Sequence, residues 1–174
     1  MKLTKKLLAM ALAGVMLLTI LTGCGGGKTG DRLVEEYMAT FLRENPVFGF
    51  GDIPITHDVP EIETVAEKFN PSWLEKGLHN IPAADKSTLQ GVFSKYSSGY
   101  TVNLYACEVD STQSELTQTA RVMSTFVSGL SIYPTQGLPP LSKLATAVKC
   151  ATRLVTRGDK SYRIAVIIYD YPVD

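Results

Sequence analysis

The sequence has 174 residues, of which 17 are basic and 17 are acidic, so its formal net charge is zero. Apolar residues make up 45% of the chain, which is enough to build the core of one domain of ordinary size. This balance of charge argues against a protein that binds nucleic acid or an anionic membrane surface.

The first 23 residues have the layout of a secretory signal peptide. Three lysines precede an uncharged apolar run from Leu7 to Leu21, which is too short and wrongly flanked for a transmembrane helix. The run ends in Leu21-Thr22-Gly23-Cys24, which resembles the lipobox of bacterial lipoproteins, where the cysteine is diacylated and becomes the new N-terminus. We therefore expect lipidation at Cys24, since two acyl chains anchor a protein stably.

Residues 24–30 form a glycine-rich tether between this anchor and the folded part of the chain. Removal of residues 1–23 takes away three lysines and leaves 14 basic residues against 17 acidic ones, a formal charge of −3. The sequence thus predicts one extracytoplasmic domain, residues 31–174, held at the cell membrane by lipid.

Two helices are predicted at the start of this domain. The first runs from Arg32 to Glu44 with Asp31 as its N-cap, because its apolar residues fall on one stripe. The second begins at Asp58, which together with Glu61 forms an acidic version of the capping box.

A short helical turn from Ser72 to Lys76 presents Trp73, and a further helix is predicted from Asp85 to Tyr96. A strand then runs from Tyr100 to Val109.

The next helix is opened by Thr112, which has Glu115 three residues later, and it ends at Gly129. Five of its apolar residues are predicted to point inward: Leu116, Ala120, Met123, Phe126 and Val127. A loop marked by three prolines follows, from Leu130 to Leu144.

The chain closes with two predicted strands, Thr146 to Thr156 and Ser161 to Tyr171, joined by the turn Arg157-Gly158-Asp159-Lys160. The second strand contains five consecutive apolar residues after Arg163, a run that indicates burial on both faces. The order of elements predicts an α+β domain, an α-β-α sandwich in which helices cover both faces of a small antiparallel sheet that ends in a C-terminal β-hairpin.

Several stretches resemble the CAP superfamily (SCP-like), the fold of cysteine-rich secretory proteins and plant pathogenesis-related proteins. The segment Gly99 to Ala106 is similar to the family's Gly-Glu-Asn-Leu strand, and Val148-Lys149-Cys150-Ala151 is similar to its Val-Gly-Cys-Ala strand. Tyr162 to Pro172 resembles its closing strand, and Ile53 to Ile62 resembles the start of its second helix. The resemblance covers most of residues 31–172.

The departures from this family concern its cleft, in which two His and two Glu are suited to bind a divalent metal. The Glu of the Gly-Glu-Asn strand corresponds to Val102, and the later His has no counterpart in residues 133–138. Only His79 matches the first His, so His79 and Asn103 mark a vestigial cleft. Because of these departures, the sequence predicts no metal, no cofactor and no catalytic residue.

Other groupings of chemically active residues have simpler interpretations. His57, Asp58, Glu61 and Glu67 could be read as a metal cluster, but acidic residues in a first helical turn complement the helix dipole without any ligand. No nucleophile elbow Gly-x-Ser-x-Gly occurs. The Arg-Gly-Asp at 157–159 is interpreted as turn chemistry rather than as an adhesion motif.

Two cysteines remain besides Cys24. Cys107 and Cys150 each lie on a predicted strand, and an even pair in an exported domain is compatible with a disulfide. A reducing habitat would leave both as buried thiols, and the sequence keeps both alternatives open.

Two function classes follow. The first is a membrane-anchored lipoprotein with a degenerate CAP-like domain that binds a lipid, a cell-wall component or a protein in the cell envelope, with no role for nucleic acid. The alternative is a cell-envelope hydrolase with an unrecognised active site.

Overall fold

The computed structural model describes residues 30–44, 50–75, 81–125, 130–131 and 145–170. The predicted signal peptide, Cys24 and most of the tether lie outside these ranges. The helices are α1 (Gly30–Glu44), α2 (Glu61–Lys68), α3 (Ser72–Glu75), α4 (Ala83–Val92) and α5 (Glu115–Ser124). The strands are β1 (Ile55–Thr56), β2 (Tyr100–Val109), β3 (Leu130–Ser131), β4 (Val148–Arg157) and β5 (Lys160–Asp170). Among the described helices, none has the length and apolar character needed to cross a bilayer.

The five described strands form one sheet in the order β1-β4-β5-β2-β3. β1 pairs with β4 in parallel, and the other pairs are antiparallel. Helices together with a small mixed sheet make this an α+β fold. The predicted purely antiparallel sheet is wrong at β1, because a two-residue strand leaves no alternation in the sequence from which a parallel partner could be inferred.

β4 and β5 pair over ten residues, from Val148 opposite Tyr169 to Arg157 opposite Lys160, and β2 pairs with β5 over the same length. Gly158 and Asp159 connect β4 and β5, and Gly158 has φ +65°, a conformation that glycine adopts without steric penalty. The bounds predicted for these strands are right to within two residues, and those of β2 are confirmed at both ends.

Alternate residues of the strands belong to two apolar clusters on opposite faces of the sheet. On the α1 face, strand residues such as Tyr105, Cys150 and Ile167 pack with α1 and α5. On the α2 face, Leu104, Ile164 and Val166 pack with α2 and α4. Residues 164–168 are almost completely buried, as the continuous apolar run predicts.

The predicted N-caps of the first two helices are wrong. α1 begins at Gly30, so Asp31 lies inside its first turn, where the carboxylate pairs with Arg163 on β5 instead of capping the helix. α2 begins at Glu61 after Pro60, with no side-chain cap. Glu61 pairs with Lys95 across 2.5 Å, so it does not reach back toward Asp58 as a capping box requires.

α5 also begins later than its predicted cap. Ser114 is the N-cap, and its hydroxyl accepts a hydrogen bond from the Thr117 amide at 3.3 Å. Thr112 instead donates its hydroxyl proton to Asp110 in the preceding turn, at 2.6 Å.

The buried face of α5 differs from the predicted one. Met123 is buried as expected, but Leu116 and Ala120 are only half-buried, while Gln118, Thr119 and Val122 take the inner positions. Gln118 faces inward because the buried Arg163 guanidinium donates to its side-chain oxygen. Phe126 and Val127 lie outside the described residues.

α4 is shorter than predicted and is followed by a 3₁₀ turn, Ser94–Tyr96. Of the residues expected to point inward, Leu89, Val92, Phe93 and Tyr96, Val92 is only half-buried and the other three are buried. Trp73 of α3 packs beneath this helix and donates its indole N–H to Asp85 at 3.0 Å.

Candidate functional site

A polar cavity of about 260 Å³ lies between α1, α2 and the outer edge of β4. We call it the β4-edge pocket. Its ionisable lining residues are Glu35, His57, Asp58, Glu63 and Arg153, and its apolar wall is formed by Val59, Pro60, Ile62 and Ala151. These residues come from segments far apart in the sequence, so only the fold brings them together.

The pocket exists because β1 ends at Thr56 and leaves the rest of β4 without a neighbouring strand. Helix α1 satisfies this edge with carboxylates: Glu35 accepts from the Thr152 amide at 3.1 Å and Asp31 accepts from the Leu154 amide at 3.2 Å. The four residues from Asp31 to Glu35 rise about 6 Å along α1, and the two residues from Thr152 to Leu154 span about 6.6 Å along β4. The two carboxylates are therefore spaced like the two amides that they accept from. The carboxylates thus replace the acceptors that a further strand would supply.

Glu35 is buried, and its side chain is only 7% exposed. Burial raises the pKa of this carboxyl, against the opposing effects of the Thr152 amide and of the Arg32 and Arg153 guanidinium groups. Its second oxygen lies 3.4 Å from Arg32 and 3.8 Å from His57 Nδ1. Every polar atom of this carboxylate therefore faces a group of the fold.

His57 lies between Glu35 and Cys150 at the inner end of the pocket. Its Nδ1 is 3.5 Å from Cys150 Sγ. Burial, followed by the nearby Arg32 charge, lowers the pKa of the imidazole. His57 is accordingly neutral in the folded protein at neutral pH.

Cys150 is completely buried behind His57. Burial, and then the nearby Glu35 carboxylate, raises the pKa of this thiol to about 12. Catalytic cysteines depend on a lowered pKa and on access for a substrate. Cys150 has neither, so the Cys-His-Glu contact has the residue types of a nucleophilic site without its chemistry.

Arg153 links both helices to the edge of β4. Its Nε donates to Glu63 on α2 at 2.7 Å, and one terminal nitrogen lies 3.6 Å from Asp31 on α1. The same terminal nitrogen, Nη1, donates to the Thr152 carbonyl at 2.9 Å. The guanidinium lowers the pKa of Glu63, and Glu63 raises the pKa of Arg153.

Within the described residues, no group of three or more His, Cys, Asp or Glu side chains is placed to hold a metal ion. Of the residues weighed as a metal cluster, His57 and Asp58 line the pocket, while Glu61 pairs with Lys95.

The residues predicted to mark a vestigial cleft are only partly described. His79 and most of the loop after β3 lie outside the described residues. Asn103 is half-buried on β2, between Ile167 on β5 and Ser131 on β3. Val102 is completely buried on the opposite face, the α2 face.

Cys107 and Cys150 are free thiols, so the disulfide alternative is not realised in this structure. Cys107 is in register with Arg163 and Cys150 with Ile167, on strands that flank β5. The Cα atoms of Cys107 and Cys150 are therefore two strand spacings of about 4.8 Å apart across the sheet and four residues of about 3.3 Å apart along it. A disulfide needs Cα atoms within about 7 Å, so the two thiols are too far apart to form one in this structure.

The first residue of the Arg-Gly-Asp tripeptide, Arg157, forms hydrogen bonds within the fold. The Arg157 guanidinium donates to the carbonyls of Ala66, Glu67 and Phe69 at the end of α2, and to that of Thr156. This arginine therefore satisfies the last carbonyls of a helix, where a cation is also favoured by the helix dipole.

Sequence reasoning missed the β4-edge pocket because lining residues in contact, such as Glu63 and Arg153, are 90 residues apart. The one available signal was the amphipathic pattern of α1, in which Asp31 and Glu35 lie four residues apart beside its apolar stripe. Comparison with known proteins finds no matching family model, no matching curated protein and no matching solved structure.

Proposed function

We propose that this chain is a membrane-anchored extracytoplasmic lipoprotein whose folded part is a non-catalytic binding or interaction module of the cell envelope. The anchor is a diacylated Cys24, and the domain is a degenerate CAP-like α-β-α sandwich closed by a C-terminal β-hairpin. Its partner is a lipid, a cell-wall component or a protein, and it needs no cofactor.

The positions of three of the four resembling segments support the CAP-like fold, whereas Ile53 to Ile62 contains β1 and only the first two residues of α2. The Gly99–Ala106 segment lies on β2, Val148–Ala151 opens β4 and Tyr162–Asp170 lies on β5. The apolar clusters on the two faces of the sheet are compatible with a three-layer arrangement. The two-residue connection between β4 and β5 is compatible with a hairpin.

One observation carries the non-catalytic assignment: Glu35, Glu63 and Arg153 of the β4-edge pocket are engaged in holding α1 and α2 to the sheet. Glu35 accepts from Thr152, Arg153 pairs with Glu63, and Cys150 is a buried thiol with a raised pKa. A catalytic acid, base or nucleophile must reach its substrate with a suitable pKa. These groups contact the protein's own backbone and one another.

The alternative function, an envelope hydrolase, is suggested by the residue types in the same place. Cys150 Sγ and Glu35 Oε2 lie 3.5 Å and 3.8 Å from the same ring nitrogen, His57 Nδ1, whereas a catalytic histidine contacts the nucleophile with one nitrogen and the carboxylate with the other. Such an enzyme would need an opening that exposes Cys150 and a proton transfer that ionises it.

Thiol reactivity distinguishes the two functions. The full chain is treated with iodoacetamide at pH 7.5, and the alkylated fraction of each cysteine is followed by peptide mass spectrometry. Cys107, a half-buried thiol whose pKa burial raises to about 11, is the internal comparison. We expect Cys150 to react more slowly than Cys107 under native conditions and both to react fully after denaturation.

The hydrolase takes first place if Cys150 reacts faster than Cys107 and if His57→Gln abolishes that reactivity. Lipid anchoring has its own test. The wild type should partition into the detergent phase and carry acyl mass on its N-terminal peptide, whereas Cys24→Ala should remain in the aqueous phase. An unacylated wild-type peptide would remove the lipoprotein assignment.

A further inference from the structure

A second group of polar and aromatic side chains lies where β2 and β4 begin, on the α2 face. We call Glu61, Lys95, Tyr96, Tyr100 and Lys149 the Tyr96 cluster. The Tyr96 ring is at its centre and is only 4% exposed. Lys95 Nζ lies 4.9 Å from the ring centroid and Lys149 Nζ 5.9 Å from it, while the Tyr100 ring meets it edge-on at 5.3 Å.

The two lysines differ in their partners. Lys95 pairs with Glu61 at 2.5 Å, and its pKa is raised by Glu61 first and by Tyr96 as well. Lys149 forms no ion pair with any residue in the described part of the chain, and its contact is with the face of the Tyr96 ring. A cation over an aromatic ring keeps its ability to bind an anion. The cluster therefore presents one ammonium group for a negative charge.

Two atoms near Lys95 are buried without a well-aligned hydrogen bond among the described residues: the Tyr96 hydroxyl, which the Lys95 ammonium only approaches, and the second carboxylate oxygen of Glu61. Buried polar atoms are nearly always paired in proteins, so these two call for a partner. The hydroxyl can donate or accept, and the carboxylate oxygen accepts. Both match the hydroxyl groups of a ligand.

A flexible side chain lies beside these atoms. Lys95 is 54% exposed and contacts both Glu61 and the Tyr96 ring. Access of a ligand to the two buried atoms would require this side chain to turn away. Tyr100 lies beside the Tyr96 ring. Among the described residues it is the one large apolar residue that is exposed to solvent, at 38%. Its ring offers a flat apolar surface to a ligand.

We propose that the Tyr96 cluster binds a sugar ring that carries a carboxylate. The carboxylate pairs with Lys149, two ring hydroxyls bond to Glu61 and Tyr96, and the apolar face of the ring packs on Tyr100. This proposal rests on the proposed binding function, whose ligand class it names.

The local charge favours a single negative charge over a dianion. Glu61 balances Lys95, and the Asp170 carboxylate, on the residue opposite Tyr100, accepts from the amides of Thr146 and Ala147. Only Lys149 is left to attract an anion. A phosphate dianion would meet two carboxylates with one unpaired ammonium.

The test is titration calorimetry of the full lipidated chain in detergent, with D-glucuronate as the probe. Glucose, inorganic phosphate and phosphatidylglycerol vesicles are titrated in parallel. We expect stoichiometric binding of glucuronate that Lys149→Met weakens about tenfold, since this variant removes the charge and keeps the length of the side chain. The matched control is Lys68→Met, which removes a lysine from the exposed end of α2 and should leave the affinity unchanged.

A second variant, Tyr96→Phe, removes only the buried hydroxyl. It should weaken glucuronate binding severalfold without lowering the melting temperature, and it decides the question if Lys149→Met fails to fold. The proposal is overturned by absent or nonstoichiometric binding, by equal weakening in the Lys68 control, or by equal affinity for glucose. Tighter binding of phosphate or of the vesicles also overturns it. None of these calorimetric results changes the outcome of the detergent-partition and alkylation experiments. The ligand proposal can therefore fail while the proposed function stands.

Discussion

The two faces of the sheet are similar in their apolar packing and differ in their polar content. The α2 face has a large apolar cluster in which Trp73, Phe93 and four alternate residues of β5 take part. The α1 face has its own apolar cluster, but Arg163, Gln118 and Glu35 are buried beside it. The α2 face is thus held mainly by burial of apolar area, whereas the α1 face also depends on hydrogen bonds that must all be made.

The first prediction concerns the buried polar contacts of the α1 face. Arg163 is 2% exposed and pairs with Asp31 and Gln118. Arg163→Met keeps the apolar stem but leaves both partners unsatisfied, and we expect a loss of about 3 to 5 kcal/mol in the free energy of unfolding. Urea denaturation measures it, with the exposed Arg121→Met as control. A loss within about 0.5 kcal/mol of the control's would show that the ion pair does not hold α1.

The second prediction tests the apolar side with one residue type on each face. Ile164 on the α2 face and Ile167 on the α1 face are both fully buried. Truncation of either to Ala should cost about 2 to 4 kcal/mol, because both leave a cavity in a packed core. Amide exchange should place β5 among the last segments to open. A loss below about 1 kcal/mol at only one site would mean that its face is loosely packed.

The third prediction concerns the end of α2. Arg157→Ala removes a guanidinium that satisfies the carbonyls of Ala66, Glu67 and Phe69, and we expect a loss of about 1 to 2 kcal/mol. Asp159→Asn in the same turn should leave the free energy of unfolding unchanged. Equal losses in the two variants would indicate that the turn, and not the helix end, is the sensitive element.

The smallest expected effect is a dependence on pH. The pKa of His57 in the folded protein lies below its ordinary value of 6.5. The unfolded chain therefore takes up this proton first as the pH falls below about 7, and the free energy of unfolding decreases until the folded pKa is passed. His57→Gln should flatten this decrease in a series of urea melts between pH 7.5 and 5.

Glu35 acts in the opposite direction at lower pH. Its folded pKa lies above its ordinary value of 4.5, so ionisation as the pH rises past that value reduces stability. Glu35→Gln should remove this contribution, and its stability relative to the wild type should increase from pH 4 to pH 7. An unchanged difference across that range would show that Glu35 is not desolvated.

The sequence was sufficient where local chemistry decides the structure. The bounds of β2 follow from turn residues on both sides, and the turn at Gly158 follows from the need for a positive φ. Burial of β5 on both faces follows from an apolar run that no half-exposed strand would carry. Each of these features is set by residues adjacent in the chain.

The sequence was insufficient where a distant charge decides the structure. Asp31 resembles a helix cap until Arg163 is folded against it, and Gln118 resembles a surface residue until the same guanidinium needs an acceptor. The contact between His57 and Cys150 joins residues that share no periodic pattern. The helix caps, the inner face of α5 and the β4-edge pocket all depend on such pairs.

The fixed start of α1 also sets an orientation. Asp31 is fastened to Leu154 and Arg163, near the Gly158 end of the sheet, and Tyr100 lies seven residues along β2 from the position opposite Arg163, about 23 Å away. The six peptide units from Cys24 to Gly30 span at most about 22 Å. With the proposed anchor in the bilayer, the tether keeps the start of α1 close to the membrane, while the Tyr96 cluster lies at the far end of the sheet. The tether and the length of β2 together therefore set how far from the membrane the cluster can meet a glycan of the surrounding envelope.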